Sequence, residues 1–560
     1  MKSLPGKSMY FKHVLGQLWN ISLYTSCFVL LNANAHAQDF ENKEQDIQSA
    51  KEHCQTCARC GTIPYPTNNG YVTPDPIIDS PQVWSFVSEP NLHPMKITVN
   101  VFNPGTSSDF IFLAPYEFSA NAMYGQPGTL ILDNEGNPFW FRPLSSPNLA
   151  CTDFRVQKLY GKPVLTFWQG TLATPPAYTN APGGSSEPGS CYYILDHTYK
   201  VIKNVQAKRG FTSDIHEFLL TPRNTALLFS TKAVPMDLTP YGGPADGYVQ
   251  DFAIQEIDLH TNKLIFFWNA LDHIPLSDSY EPASNATLTA NIWDAYHLNS
   301  IGLTDNVDDI LISSRSMWTI YMINKPTGNI IWQLGGKNSS FTIESGASFS
   351  WQHDARFLPN NLISMFDDNS DDSSEPGPPS HGLILQLDFV NMTASVYKTY
   401  YHDPNIIVAS QGNLQSLDNG NKFVGWGQSQ YFSEFSGAGN NESNPALNLL
   451  YDAAMPSTNY TYRAYRHKWV GKPHYPPSIG IQSNSGQITV YASWNGSTET
   501  AYWRVLAGHK PKKLSKAGTV VKTGFETTIP INNPGPYFEV RALNVQGKVI
   551  GKSKIVKFTE

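Results

Sequence analysis

Apolar and polar residues alternate along most of the chain in one recurring unit. Each unit is an apolar run, a turn led by Asp or Asn, and a second apolar run, which is the pattern of a β-hairpin. Five units carry it, and their leading turn residues are Asp133, Asp196, Asp258, Asn324 and Asp388. The steps between these residues are 63, 62, 66 and 64. So steady a period predicts a repeat architecture made of β-strands.

The length of the repeat favours a β-propeller. Common propeller repeats span about 40–50 residues, and segments rich in Pro, Gly and Ser at 175–190 and 367–380 explain the longer units here. A parallel β-helix repeats in much shorter units, and a helical solenoid needs a 3.6-residue periodicity that the chain lacks. Five hairpins and a closing unit at 422–465 predict six blades. Strands at 96–101 and 110–113 would close the ring or form a small leading domain.

The pattern changes after residue 471. Short strand-like runs follow one another to the chain end, Trp503 is a candidate core residue, and residues 537–542 are typical of a late strand in a fibronectin type III or Ig-like sandwich. We therefore predict an all-β protein with a six-bladed propeller at 93–471 and a β-sandwich at 472–560. No catalytic residue is evident in the sandwich, which we expect to serve packing or contact with a glycan or cell wall.

A histidine recurs shortly before an apolar strand in three successive units. His216, His297 and His353 are 81 and 56 residues apart, and the mean of 68.5 matches the hairpin period. The innermost strand of every blade lines the central channel of a propeller, so these side chains should converge there. The same register places Arg155 in the preceding blade and Gly412 in the following one. Imidazoles together with basic residues indicate chemistry on an anion.

Composition and charge narrow the class of protein. Only 15% of residues are charged, 12% are aromatic, and Gly and Pro number 40 each, which is typical of a turn-rich β protein. The formal net charge is −7 and no basic tract is present, which argues against nucleic acid as a partner.

The first 37 residues are predicted to be a secretory signal peptide. Lys2, Lys7 and Lys12 form a basic region, a short apolar stretch covers 21–31, and residues 35–37 read Ala-His-Ala before the cut. A signal anchor is the alternative, but a membrane span needs about 20 apolar residues. We expect a secreted protein whose residues 38–92 form a cysteine-containing segment.

The cysteines and the glycosylation sequons are consistent with the oxidising compartment of a secreted protein. Cys151 and Cys191 are expected to form a disulfide across adjacent strands. The cluster Cys54, Cys57 and Cys60 could bind a metal or an iron–sulfur group, but it lacks a nearby fourth ligand, so a local disulfide is favoured. Six N-x-S/T sequons predict glycosylation at Asn285, Asn338, Asn391, Asn441, Asn459 and Asn495.

Five segments around these histidines resemble the arylsulfotransferase family, and most closely its secreted fungal branch. They are Tyr296–Ser300, Leu311–Arg315, Thr327–Gly336, Phe349–Arg356 and Phe366–Asp368. The resemblance covers roughly 111–469. It implies a six-bladed fold and transfer of a sulfuryl group from a phenolic sulfate ester to a phenol. No cofactor is expected, because the family works without the nucleotide donor PAPS.

The resemblance also implies roles for particular residues. His353 matches the nucleophile that becomes a sulfo-histidine, and His297 with Arg315 matches a second histidine and the sulfuryl-binding arginine. His216 is matched by register and by its Asp-x-His-Glu context. Lys232 and Asn299 are expected to bind substrate, Lys232 by adding positive potential.

Other readings remain open. The chain could be a non-catalytic secreted propeller that binds a glycan, a protein or a small ligand. Three histidines could also hold zinc, although Arg315 in the same channel would repel a cation. The acidic run at 367–372 is expected to be a solvated loop, with Ca²⁺ binding as a minor alternative.

Overall fold

The computed structural model describes residues 74–117, 122–171, 190–288, 291–304, 307–532 and 535–559. Residues 66–560 form one compact unit. Throughout its described part the chain consists of β-strands and short 3₁₀ turns, which confirms the all-β prediction. No helix in these ranges is long and apolar enough to cross a membrane. The predicted signal peptide at 1–37 and the cluster Cys54, Cys57 and Cys60 lie outside the described residues.

Twenty-nine strands lie in the described residues before 470. They are β1 (Thr98–Phe102), β2 (Phe110–Leu113), β3 (Pro115–Tyr116), β4 (Gly128–Leu132), β5 (Pro138–Pro143), β6 (Leu149–Leu159), β7 (Lys162–Thr171), β8 (Cys191–Leu195), β9 (Val201–Val205), β10 (Thr212–Leu220), β11 (Thr225–Met236), β12 (Gly247–Asp258), β13 (Leu264–Asn269), β14 (Ile292–Trp293), β15 (Leu298–Leu303), β16 (Asp309–Ser314), β17 (Thr319–Asn324), β18 (Ile330–Gly335), β19 (Thr342–Ile343), β20 (His353–Leu358), β21 (Leu362–Asp367), β22 (His381–Asp388), β23 (Thr393–Tyr401), β24 (Asn413–Ser416), β25 (Lys422–Gly425), β26 (Tyr431–Phe435), β27 (Leu449–Ala454), β28 (Tyr460–Thr461) and β29 (Tyr465–His467). In the part of the chain that the structure describes, 3₁₀ turns lie at Thr239–Tyr241, Leu276–Asp278 and Ala283–Leu288.

Among the described residues before 470, six antiparallel sheets follow one another, each with four strands as its body, and β28 pairs with β3 in a separate two-stranded sheet. Their orders are β29-β2-β4-β5, β6-β7-β8-β9, β10-β11-β12-β13, β15-β16-β17-β18, β20-β21-β22-β23 and β24-β25-β26-β27. β14, β19 and β1 extend the third, fifth and sixth sheets. The hairpins arise where Asp- or Asn-led turns interrupt apolar runs, as at Asp133, whose carboxylate accepts the main-chain N–H of Asn137 at 2.8 Å.

The first strands of these sheets contact one another in a ring. β6 contacts β10, β10 contacts β15, β15 contacts β20, β20 contacts β24, and β29 contacts both β25 and β6. Six sheets around one axis agree with the predicted six blades. The ring closes through the first and the last strand before residue 470, since β29 pairs with β2 while β1 pairs with β27. The two early strands therefore belong to different blades.

The C-terminal part forms two more sheets. Its strands are β30 (Ser478–Asn484), β31 (Gln487–Ser493), β32 (Tyr502–Lys510), β33 (Lys513–Val521), β34 (Glu526–Ile531), β35 (Tyr537–Leu543), β36 (Val549–Lys552) and β37 (Val556–Lys557). One sheet is β30-β31-β34 and the other is β33-β32-β35-β36, with β37 beside β35. Trp503, Val505, Phe538 and Val540 are buried in one apolar cluster with β31 and β34. This arrangement is consistent with the predicted sandwich, whereas the domain boundaries stay predictions.

The predicted disulfide between Cys151 and Cys191 is wrong. The two cysteines lie on β6 and β8 and both are paired with Gln169 of β7, so a whole strand separates them. Two strand spacings amount to about 10 Å, which exceeds the roughly 7 Å that a disulfide can bridge between Cα atoms. Both side chains are buried in the apolar core of their blade and are not bonded to each other.

The six sequons differ in how exposed their asparagines are in the structure. Asn285, Asn338, Asn391 and Asn441 are exposed, so glycosylation there stays a prediction. Asn459 is fully buried, and its amide bonds both the N–H and the C=O of Tyr124. Asn495 bonds the main chain of Phe141 in the same two-way manner. The buried side chain of Asn459 leaves no room for a glycan, so the prediction of glycosylation there is wrong. Asn495 is half-buried, and its glycosylation stays a prediction.

Candidate active site

Irregularities in the inner strands place the candidate residues in the channel. β6, β15 and β20 each carry one extra residue relative to their partner strands, and β10 carries three at 214–217. A β-bulge bends a strand and re-aims its side chains. Asp153, His297 and Asp354 adopt left-handed φ angles of 52°, 47° and 56° at these points. The bulges therefore turn polar side chains of successive blades towards the axis.

His353 is the most deeply buried of the three histidines, with 1% of its surface exposed. Its Nδ1 lies 2.7 Å from Oδ2 of Asp368. The main-chain nitrogen of Gln411 lies 3.2 Å from both ring nitrogens, and the Gln411 side chain accepts the hydroxyl of Tyr116 at 2.6 Å. The ring of His353 is thus held from two neighbouring segments.

His297 lies nearer to solvent, with 25% of its side chain exposed. Its Nδ1 lies 2.6 Å from Oδ2 of Asp294, and its carbonyl accepts the N–H of Arg315 at 3.0 Å. The ring is 4.9 Å, centre to centre, from the ring of His216. His297 and His216 therefore share one side of the site.

His216 repeats the same arrangement and joins the two other histidines. Its Nδ1 lies 2.6 Å from Oδ1 of Asp214, whose carboxylate also accepts the His216 N–H. The ring of Tyr462 lies 5.5 Å from His216 and 6.4 Å from His353. Tyr462 is buried and fills the space between these imidazoles. The structure thus brings together the three histidines that the sequence register predicts.

Burial and neighbouring cations set the charge of these groups. Burial, followed by Arg315, holds the pKa of His353 well below its ordinary value, so this imidazole is neutral near pH 7. Burial also lowers the pKa of His297, although Asp294 opposes it. Burial raises the pKa of Asp368 well above its ordinary value against the pull of Arg315. The pKa of Asp294 is lowered, because His297 and Arg315 outweigh its burial.

Arg315 is the cation of the site. Its guanidinium lies 4.6 Å from the centre of the Trp351 ring, and Nη2 donates to the carbonyl of Ala409 at 3.0 Å. Its Nε is buried without a hydrogen-bond acceptor. A guanidinium with an unused donor beside neutral imidazoles is suited to hold an oxyanion such as a sulfuryl group.

A balanced ionic network lies beside the histidines. Its members are the arginines Arg155, Arg356 and Arg463 and the carboxylates Asp153, Glu217 and Asp354. Glu217 accepts from Arg155, from Arg356 at 2.7 Å and from Arg463 at 3.1 Å, and these arginines hold its pKa below the ordinary value despite burial. The network therefore contains as many arginines as carboxylates, three of each.

Two predicted substrate-binding residues lie differently from expectation. Lys232 is exposed on β11, 5.9 Å from the ring of Phe211, and no contact among the described residues joins it to the histidines or Arg315. Asn299 is fully buried; its side chain donates to the carbonyl of Gln352 and its own carbonyl accepts from Arg463. Asn299 therefore links neighbouring blades. The structure gives neither residue a contact that supports substrate binding.

Sequence reasoning missed the three aspartates that hold the histidines. Asp214 and Asp294 precede their histidines by two and three residues, a spacing that could have suggested the pairs. Asp368 is 15 residues beyond His353 and meets it only through the pairing of β20 with β21. The prediction of a solvated loop at 367–372 is wrong for its first two residues, because Asp367 and Asp368 are fully buried. The described residues hold no group of three or more His, Cys, Asp or Glu arranged to hold a metal ion.

Comparison with known proteins gives one family. Residues 155–442, half of the chain, match the family described as Arylsulfotransferase (ASST). A search of curated proteins gives no match.

Solved structures resemble the chain only distantly. The Cps50 (Swd1) β-propeller domain of Myceliophteria thermophila is 10% identical, with 70% of this chain and 99% of that chain covered and a TM-score of 0.33. TolB of Acinetobacter baumannii is 10% identical, with coverage of 64% and 68% and a TM-score of 0.30. Sqt1 of Saccharomyces cerevisiae is 9% identical, with coverage of 72% and 83% and a TM-score of 0.28. At such scores these likenesses carry no argument about function.

Proposed function

Because the chain belongs to the arylsulfotransferase (ASST) family, we propose that it moves a sulfuryl group from a phenolic sulfate ester to a phenol through a sulfo-histidine intermediate. The observation that carries this proposal is the set of three histidines, each bound through Nδ1 to an aspartate, beside one arginine. An imidazole that donates Nδ1–H to a carboxylate has its lone pair on Nε2. In His353 this lone pair faces the main-chain N–H of Gln411 at 3.2 Å, a contact that attack on sulfur would replace.

His353 is the proposed nucleophile. Its low pKa keeps it neutral, and its burial excludes water that would compete for the sulfuryl group. In the first step Nε2 bonds to sulfur while the bond from sulfur to the phenolic oxygen breaks. In the second step the oxygen of the acceptor phenol bonds to sulfur and the S–N bond breaks. Arg315 would stabilise the sulfuryl oxygens in both transition states.

His297 is the proposed acid and base. It is the histidine nearer to solvent, where the phenol leaves and the acceptor arrives. The neutral ring, which the lowered pKa favours, would take the proton of the acceptor phenol, and the protonated ring formed in that step would give the proton to the phenolate that leaves in the next cycle. His216, 4.9 Å away, would support the charge changes on His297.

The proposal also includes that the protein is secreted and that it works without a nucleotide cofactor.

The test is transfer from 4-nitrophenyl sulfate to a second phenol, followed by the absorbance of 4-nitrophenolate. His353→Ala and Arg315→Ala are expected to lower kcat/KM at least 1,000-fold, about 4 kcal/mol of transition-state stabilisation. Lys232→Ala, which removes an exposed cation away from the histidines, should keep the wild-type rate. Labelled donor sulfate should attach to the wild type and not to His353→Ala.

Two results would change the proposal. Transfer that survives in His353→Ala would exclude this residue as the nucleophile. Absence of transfer by the wild type across several aryl sulfate donors would favour the alternative, a non-catalytic propeller that binds a glycan, a protein or a small ligand.

A further inference from the structure

Charge is divided unevenly between the two parts of the chain. Residues 472–560 contain 12 Lys and Arg against 4 Asp and Glu, a net charge of +8. Residues 1–471 contain 27 against 42, a net charge of −15. The overall value of −7 therefore conceals a basic C-terminal part.

One of the two C-terminal sheets carries this charge. The strands of β30-β31-β34 contain no Lys or Arg. Eleven of the 12 cations lie on the other sheet or in the segments that join and flank its strands, and only Lys472 precedes both sheets. Because Trp503, Val505, Phe538 and Val540 face the first sheet, the residues that alternate with them lie on the outer face.

Strand register aligns cations on that outer face. Arg504 of β32 stands directly opposite Arg541 of β35, which stands opposite Lys552 of β36. Lys516 is opposite Leu506, and Lys557 is opposite Tyr537, on the same face. We call Arg504, Lys516, Arg541, Lys552 and Lys557 the basic face.

The aligned cations repel one another, and an anionic ligand would reduce this repulsion. Like charges directly opposite each other in a sheet are destabilising. Arg541 is compensated by Glu539, 2.5 Å from its Nε, but the Nε of Arg504 is buried without a hydrogen-bond acceptor. Lys516, Lys552 and Lys557 are exposed. The face therefore presents more positive charge than its own carboxylates neutralise.

We propose that the basic face binds a sulfated polysaccharide. Its cations are spaced about 5 Å across the strands and about 7 Å along them, which suits an extended polymer that carries many anionic groups. Guanidinium groups bind sulfate oxygens through paired hydrogen bonds. The choice of sulfate over phosphate rests on the proposed function, because the same chain would then handle sulfate esters.

The experiment measures binding of fluorescein-labelled dextran sulfate to the whole protein by anisotropy, with neutral dextran as the reference ligand. The variant is Arg504→Gln with Arg541→Gln. The matched control is Lys162→Gln with Lys263→Gln, which removes two exposed propeller cations. The face variant should bind at least tenfold more weakly at low salt, with a shallower dependence of log K on log salt, while the control stays within twofold.

Folding and activity are separated from binding. Tm is measured for each variant, because Arg541→Gln also removes the partner of Glu539. A second variant, Lys552→Gln with Lys557→Gln, alters only exposed side chains. His353→Ala should bind dextran sulfate as the wild type does, so failure of the proposed catalysis would leave this result intact. Equal weakening in the face and control variants would overturn the proposal. So would binding of single-stranded DNA or phosphatidylserine vesicles as tight as that of dextran sulfate at the same salt.

Discussion

The carboxylates behind the histidines decide what each imidazole can do. Asp368 is fully buried behind His353, whereas Asp294 and His297 are partly exposed, with 31% and 25% of their side chains accessible. The same pair of residue types therefore occurs in two environments within one site. Burial would keep the proposed nucleophile His353 neutral, and access to solvent would let the proposed acid and base His297 exchange protons.

Asp368→Asn tests the positioning of the nucleophile. The amide can offer N–H to Nδ1 and so stabilise the tautomer whose Nε2 carries the proton, which cannot attack sulfur. We expect kcat to fall at least 100-fold with little change in KM. Because the pKa of Asp368 is raised, the acidic limb of the wild-type pH–rate profile should lie above the range of an ordinary carboxyl and should disappear in the variant. A merely structural role would leave the shape of the profile unchanged.

Asp367→Asn tests a pH dependence of stability. Burial raises the pKa of Asp367 to about 7 from an ordinary 3.8. The unfolded chain therefore loses this proton first, and the free energy of unfolding should fall as pH rises from about 4 to about 7, by up to roughly 4 kcal/mol. The variant should lack this decline and be the more stable protein at pH 7.5. Denaturant unfolding at pH 4.5, 6 and 7.5 measures the free energy of unfolding of both proteins. If that free energy changed with pH in the same way in both, the raised pKa of Asp367 would be refuted.

At the scale of elements, the start of the inner strand is the part of a blade that supplies residues to the candidate site. The blade core is apolar and regular, but its first strand begins with a bulge or a left-handed residue. Gln411 and Gly412, just before β24, have φ angles of 75° and 95°. The sixth blade thereby brings the main chain of Gln411 against His353.

Gly412→Ala should destabilise this junction. A Cβ at residue 412 would lie 2.5 Å from the ring of Phe366, on a backbone that L residues rarely adopt. We expect a loss of about 2–3 kcal/mol in the free energy of unfolding, together with weaker catalysis because Phe366 precedes the two buried aspartates. Gly420→Ala is the control, with a φ of +89° and no atom within 4 Å, and should lose about 1 kcal/mol. Equal losses in thermal unfolding would contradict the steric argument.

At the scale of the whole molecule, strand pairing and ion pairs both hold the ring of sheets together. β29 joins the first sheet, and β1 joins the sixth. Glu217, from the third sheet, binds Arg155 of the second and Arg356 of the fifth, and it also accepts the N–H of Ile301 from the fourth. One carboxylate therefore ties together blades that are distant in sequence.

Glu217→Gln should weaken the entire propeller. The substitution leaves three buried arginines with two carboxylates, and an uncompensated buried charge costs about 3–5 kcal/mol. Asp418→Asn, which removes an exposed partner of Lys468, should have no measurable effect. Thermal unfolding followed by circular dichroism compares the two variants. A wild-type Tm in Glu217→Gln would show that the network does not hold the ring.

The sequence by itself determined the features that depend on local pattern. Hairpin period, strand content, the change of character after residue 471 and the register of His216, His297 and His353 all follow from spacing along the chain. Those signals are local, because turn chemistry and alternation act within a few residues. Asp214 and Asp294 belong to the same local range, although their pairing was not recognised.

Only the tertiary structure decided which residues meet across the ring. Asp368 reaches His353 across a strand pair, Arg463 reaches Glu217 from 246 residues away, and Gln169 stands between Cys151 and Cys191. Burial likewise excludes glycosylation at Asn459. It also makes Asp367 and Asp368 part of the candidate site, although the sequence predicted a solvated loop there. A sequence gives spacing and residue type, whereas burial and contact follow from how blades pack around an axis, and these set pKa, charge balance and access.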